Sequence, residues 1–220
     1  SDPDAAATPE AAAFNATLEN VRVDEFLRLA QLDTIVGGTV TGRVSVTGSA
    51  LSPLITGTLL ARDVRYREAT VDSLSARVDY ARRVLNGSLE AWNAGSPILR
   101  GEGSLPVDLA LTPLDRRFVE RPIDLRFTGG DITAGLVAFL APGFSRVEGS
   151  LGGRLHVTGT PEAPSFQGEL HLRDGAGYFE HSAVRYRGVQ AVAHIRDSEL
   201  AIEGTLLTAT GQGDITGTLD

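Results

Sequence analysis

Apolar residues return at every second position through most of this chain, and that period decides what it is able to fold into. Residues 38 to 47 set Val40, Gly42, Val44 and Val46 against Thr39, Thr41, Arg43, Ser45 and Thr47. Residues 150 to 158 set Leu151, Leu155 and Val157 against Arg154, His156 and Thr158. Successive side chains of an extended strand point to opposite faces, so each segment reads as a strand with one apolar and one polar face. The alternation continues through Leu74, Ala76, Val78 and Tyr80, through Phe166, Gly168, Leu170 and Leu172, through Val189, Ala191, Ala193 and Ile195, and through Leu200, Ile202, Gly204 and Leu206. Between them TGSALSP, RRVLNGS, AGSP, TGTPEAP and RDSE supply turn chemistry at the spacing usual in all-β proteins. The predicted fold is all-β, with roughly a dozen strands in a long, mostly antiparallel sheet.

Two stretches carry a helical period instead. VRVDEFLRLAQL, residues 21 to 32, places Val23, Phe26, Leu27 and Ala30 at helical spacing, and ITAGLVAFLAPG, residues 132 to 143, is ended by Pro142 and Gly143. Two short helices are therefore expected. Arg62-Asp63 and Arg173-Asp174 are expected to end matching strands at a turn, as a solvated ion pair of little energetic weight.

The sequence also repeats itself. GRVSVTGSALSPLITGTLLARD, residues 42 to 63, aligns without a gap on GRLHVTGTPEAPSFQGELHLRD, residues 153 to 174, with ten identities in 22 positions. Leu29, Ala30, Val36 and Gly38 recur in the same register as Leu140, Ala141, Val147 and Gly149. A fixed offset of 111 residues implies two copies of one unit, residues 14–121 and 122–220, joined edge to edge in one sheet. The opening SDPDAAATPEAAA, residues 1–13, reads as a linker. Both ends are expected to be internal to a longer protein.

Composition narrows the function. The formal charge of −8 opposes phosphate backbones, which removes nucleic acid as a partner. Cysteine is absent, so there are no disulfides or thiolate metal ligands, and all 20 basic residues are arginine. No nucleophile elbow, phosphate-binding loop or paired catalytic carboxylates occur, and His156, His171, His181 and His194 lack ligand spacing. No catalytic residues, metal or cofactor are expected. No apolar run reaches the length of a membrane-spanning helix.

A burial problem remains. Strands about 4.8 Å apart make a dozen-stranded sheet near 60 Å long, and two short helices cannot cover its apolar face. The sheet must curl into a filled sandwich, a closed barrel or a trough whose interior is left for a ligand. Period two places Val44, Val46, Ile55, Leu59, Leu155, Val157, Phe166, Leu170, Leu172, Leu200, Ile202 and Leu206 on the inward face of such a trough.

The motif G-x-[LV]-x-V-x-G-[ST], a short loop ending in proline, then G-x-L, is seen as Gly153 to Thr160, Pro164 and Gly168-Glu169-Leu170. This motif, with the preceding Val147-Glu148-Gly149-Ser150-Leu151, resembles the repeats of TamB and the wider AsmA-like envelope proteins, a bridge-like lipid-transfer superfamily. The likeness runs over most of residues 14–220. It implies a protein of the diderm bacterial periplasm, anchored in the inner membrane, whose sheet curls into a taco-like groove and carries phospholipid between the two membranes. It also implies a link to outer-membrane protein assembly through a barrel partner that binds outside this stretch. The alternative expectation is a structural, adhesin-like β-spacer with a filled core and no ligand.

Overall fold

The computed structural model describes residues 13–24, 36–66, 69–112, 116–133, 144–179, 184–197, 199–207 and 211–219. Twelve strands follow in chain order: β1 (Phe14–Arg22), β2 (Val36–Ser49), β3 (Ser52–Tyr66), β4 (Ala69–Ala81), β5 (Val84–Asn93), β6 (Ser96–Pro106), β7 (Asp124–Thr133), β8 (Phe144–Gly159), β9 (Pro164–Phe179), β10 (Val184–Arg196), β11 (Glu199–Leu207) and β12 (Gln212–Leu219). Each pairs antiparallel with its sequence neighbours in a single sheet of order β1 to β12 that does not close. The all-β antiparallel architecture is the one the alternation requires.

A simple meander sends successive connections to opposite strand ends. Those after β2, β4, β6, β8 and β10 lie at one rim, termed the lower, and the others at the upper rim. Two hairpins turn on residue pairs with positive φ, Arg82-Arg83 (53° and 63°) and Ala94-Gly95 (48° and 76°), the conformation whose twist matches that of the flanking strands. Asn86-Gly87, the stronger turn signal of RRVLNGS, instead lies inside β5, facing Asp79 and Val78.

The two expected helices are not borne out where they are described. Val21 and Arg22 belong to β1, and Ile132 and Thr133 to β7. Among the described residues only Val23 and Asp24 are helical, and the rest of both stretches, 25–32 and 134–143, lies outside those residues. Pairing decides the difference: Val21 faces Val40 and Ile132 faces Leu151, so cross-strand partners override the local period.

Arg62-Asp63 and Arg173-Asp174 do not end strands either. They lie inside β3 and β9, where Asp63 (φ 51°) and Asp174 (φ 49°) take the left-handed conformation that aspartate tolerates better than most side chains. The pairing of β2 with β3 slips between Gly37 and Thr39, and that of β8 with β9 slips between Glu148 and Ser150. These are β-bulges. Gly38 (φ 131°) and Gly149 (φ 116°) complete them, for a Cβ at either would stand 2.8 or 2.9 Å from the carbonyl oxygen of Arg62 or Arg173. The positive-φ pair Asn20 and Asp131 shares the same spacing, as does Gly48 with Gly159. Registers follow suit, since Leu18 faces Gly42 as Gly129 faces Gly153, and Gly42 faces Leu59 as Gly153 faces Leu170.

The β6–β7 connection, residues 107–123, departs from the meander by lying along the lower rim. Leu111 N donates to Ala50 O (2.8 Å), Val107 N to Arg83 O (3.1 Å) and Ile123 N to Gly159 O (2.8 Å), which ties it to the turns after β2, β4 and β8. Asp108 is buried, receives Arg83 Nε at 2.9 Å and accepts from Ala110 N at 2.9 Å. Tyr80, 2 % exposed, reaches it from the sheet, its hydroxyl accepting from Leu109 N at 2.8 Å. Val107, Ala110, Ile123 and Val157 are buried around this contact. A second small cluster of Val71, Ala91 and Ile98 sits near the upper rim.

Burial is otherwise shallow. The chain exposes 14793 Å² at 23.2 kDa, whereas a compact monomer of that mass exposes about 9,700 Å². The described residues contain no second sheet on which the first could close a core.

Candidate functional site: an uncovered apolar face

Directly opposed residues of an antiparallel pair share a face, so the pairing tells which side chains lie together. Starting from Val44, the partners run Val44, Gly57, Val78, Gly87, Gly103, Leu125, Val157 and Phe166. A second row runs Gly42, Leu59, Ala76, Leu89, Gly101, Phe127, Leu155, Gly168, Ile195 and Leu200. Val46 and Ile55 face one another and continue to Tyr80; Leu170 leads through Ala193 to Ile202; Leu172 faces Ala191; and Leu206 faces Gly213. All twelve residues expected on the inward face therefore share one face of one sheet.

Most of that face is only half-buried. Ten of the twelve are half-buried, Phe166 is exposed, and only Val157, beside the β6–β7 connection, is buried. Strands at the far end from that connection, β9 to β12, carry no buried apolar residue except Gly175 among those described. The face has further members outside the twelve expected on it: Val78, Leu89, Leu125, Phe127 and Ile195 are half-buried on it. For Leu125 and Phe127 the signal was present in the alternation of DLRFT, residues 124–128.

Large side chains on this face are set against small ones. Val44, Leu59, Val78, Leu155, Leu170, Ile202 and Leu206 each oppose at least one glycine. Neighbours lean over the gap: a Cβ at Gly101 would meet the Phe127 ring at 2.9 Å and Leu89 at 3.0 Å, and one at Gly57 would meet Val78 at 3.1 Å. Crowding on the apolar side is relieved at each such pair, which lets a sheet bend toward that side.

The opposite face is polar and carries several small hollows. Those of about 320 to 720 Å³ are lined chiefly by polar-face residues such as Arg43, Thr58, Arg77, Glu90, Glu102, His171, Gln190 and Glu203. Of the twelve apolar residues only Val44, Leu59 and Leu172 touch them. His171 Nε2 and His194 Nδ1 flank Glu169 at 2.7 and 3.3 Å, and His156 Nε2 lies 2.8 Å from Asp124. These are partly exposed pairs. Among the described residues no three histidines or carboxylates converge as metal ligands would, and no helix is long and apolar enough to cross a membrane. His181 lies outside the described residues.

The class that fold and face define is an open antiparallel sheet with one continuous apolar side. No family model, curated protein or solved structure matches the chain.

Proposed function

We propose that this chain is a lipid-shielding segment of a bridge-like conduit of the TamB and AsmA-like kind, in the periplasm of a diderm bacterium. One observation carries the reading: an apolar face spans all twelve strands and is left half-exposed by its own protein. Exposed contiguous apolar surface of this extent marks a place where something else binds. The sheet curls about this face into a trough, a shape favoured by the large-against-glycine pairs. Acyl chains of phospholipid lie in the trough while their headgroups stay in water. Each buried methylene contributes about 0.8 kcal/mol, so ten supply roughly 8 kcal/mol before ordering costs, enough for reversible holding. Residues 14–121 and 122–220 are two copies of one conduit unit, a reading supported by the bulges and registers that recur at the same spacing. The segment has no chemistry of its own and works without a cofactor. Anchoring in the inner membrane and contact with an outer-membrane barrel belong to other parts of the protein.

The test is photo-crosslinking in cells from positions 155, 170 and 200, with 154 and 156 as opposite-face controls. Lipid adducts from the apolar positions alone are expected. Equal labelling from both faces, or none from either, refutes the conduit.

A further inference from the structure

The two outer strands of the sheet match the two strands that meet at its middle. Phe14, Ala16 and Leu18 of β1 face Val46, Val44 and Gly42 as Leu125, Phe127 and Gly129 of β7 face Val157, Leu155 and Gly153, each residue 111 positions on. β1 therefore stands to β2 as β7 stands to β8. The row from Val44 passes through Gly57, Val78 and Gly87 to Gly103 of β6, and the matching row from Leu155 passes through Gly168, Ile195 and Leu200 to Leu219 of β12. β12 thus occupies the place of β6, with Ile215-Thr216-Gly217 where β6 has Leu99-Arg100-Gly101.

The difference lies on the outer side. β6 and β7 pair with each other, Leu99 with Gly129, Gly101 with Phe127 and Gly103 with Leu125, whereas β12 and β1 are the two ends of the sheet, with no strand beyond either among the described residues. Edge strands are ordinarily protected by charge, proline or a bulge. FNATL, residues 14–18, and ITGTL, residues 215–219, hold neither charge nor proline. A bulge does follow in β1 at Asn20 (φ 50°), but β7 has the same one at Asp131 (φ 56°) and still pairs with β6 over residues 124–129. Phe14, at the edge, is 61 % exposed.

We infer that the chain associates with a second copy of itself head to tail, β12 of one copy pairing antiparallel with β1 of the next in the register of β6 with β7. That register sets Ile215 against Leu18 and Gly217 against Ala16 on the apolar side, and Thr216 against Thr17 and Thr218 against Asn15 on the polar side, while Leu219 reaches the level of Phe14. The internal junction selects the occupant, because a β7-type strand is what fits β6, and β1 is the described strand of that type whose outer side is open. Unlike edges meet at such an interface, so two copies do not close it and the sheet lengthens copy by copy, its apolar side running on across each joint. The inference rests on the shared registers and not on what the apolar face holds.

The experiment uses the whole chain without lipid, and the absence of cysteine makes each introduced thiol unique. T17C and T216C, both at exposed positions, place one thiol on the polar side of β1 and one on that of β12. Mixed and treated with a short bismaleimide, the two variants should give a cross-linked dimer of one of each, whereas either alone should remain monomeric on a gel. Sedimentation of the wild type should show mass rising with concentration. Adding L18R to the T17C copy should cut the yield roughly tenfold, and adding I215E to the T216C copy should then restore it, a rescue that loss of folding would not allow. A wild type monomeric at all concentrations, like-with-like dimers as abundant as the mixed one, an undiminished yield with L18R, or no rescue by I215E overturns the inference. Mixed dimers from a chain that fails to label lipid in cells uphold it while refuting the conduit, so the two are read separately.

Discussion

A charge placed on the apolar face should harm the fold less than the loss of one buried ring. Leu155 is half-buried in a row that no other layer covers among the described residues, so Leu155→Asp forfeits about half the 1.5 to 3 kcal/mol of a fully buried leucine, and the new carboxylate stays in contact with water. The expected cost is about 1 to 2 kcal/mol. Tyr80 is 2 % exposed and its hydroxyl accepts from Leu109 N, so Tyr80→Ala opens a cavity and unpins the β6–β7 connection, at about 3 to 5 kcal/mol. For a chain of 220 residues a kilocalorie shifts the melting temperature by about 2 to 4 °C, which separates the two variants. Thermal and urea melts followed by circular dichroism should give losses of roughly 2 to 8 °C for Leu155→Asp and roughly 6 to 20 °C for Tyr80→Ala. A filled sandwich reverses the order, because an unpaired charge in a dry core costs more than a cavity. Unfolding of Leu155→Asp beside a milder Tyr80→Ala therefore refutes the open-face account.

Asp63→Gly and Asp174→Gly, at φ 51° and 49°, should be neutral or raise the melting temperature slightly, since glycine takes that conformation without steric cost; a fall of several degrees in both would show that the carboxylates, not the backbone, hold the bulges. Gly38→Val and Gly149→Val should each destabilise by at least 1 to 3 kcal/mol in urea melts, because the new Cβ meets a carbonyl oxygen at 2.8 or 2.9 Å in a backbone conformation that valine avoids. Asp108→Ala should cost about 1 to 3 kcal/mol by stranding Ala110 N and releasing Arg83, and faster proteolysis within residues 107–123 should accompany it. Glu169→Gln, between two partly exposed histidines, should change stability by less than about 1 kcal/mol.

The strands and their faces were legible because period two is a local signal and each face is named by a residue's own neighbours. Leu59 and Leu170 fall on the same face for the same reason, whatever lies between them. The β6–β7 connection was not legible, since VDLALTPLDRRFVERPI has no period, and its burial comes from turns as distant in sequence as Ala50 and Gly159. Asp63 and Asp174 looked like strand ends because aspartate also marks turns; the partners that keep those strands extended, Arg65 with Gly37 and Ala176 with Glu148, lie elsewhere in the chain. The helical period of residues 21–32 and 132–143 failed at its first residues for a similar cause, as strand pairing claimed Val21 and Ile132. Which apolar residues would stay half-exposed was equally hidden, because exposure depends on the absence of a covering layer.

Across β2 to β5 the alternation of bulky and small residues has a mechanical meaning. In the sequence Val44, Gly57, Val78, Gly87 the surface rises and falls with a repeat of two strands, about 9.6 Å. A flexible hydrocarbon laid along such a corrugation finds many shallow resting places of similar depth and no deep one. Within these strands, moving by one repeat returns it to the same relief, so the barrier to sliding is set by single side chains and not by the whole contact area. On the proposed conduit reading, such relief suits traffic along the face more than capture at any point on it.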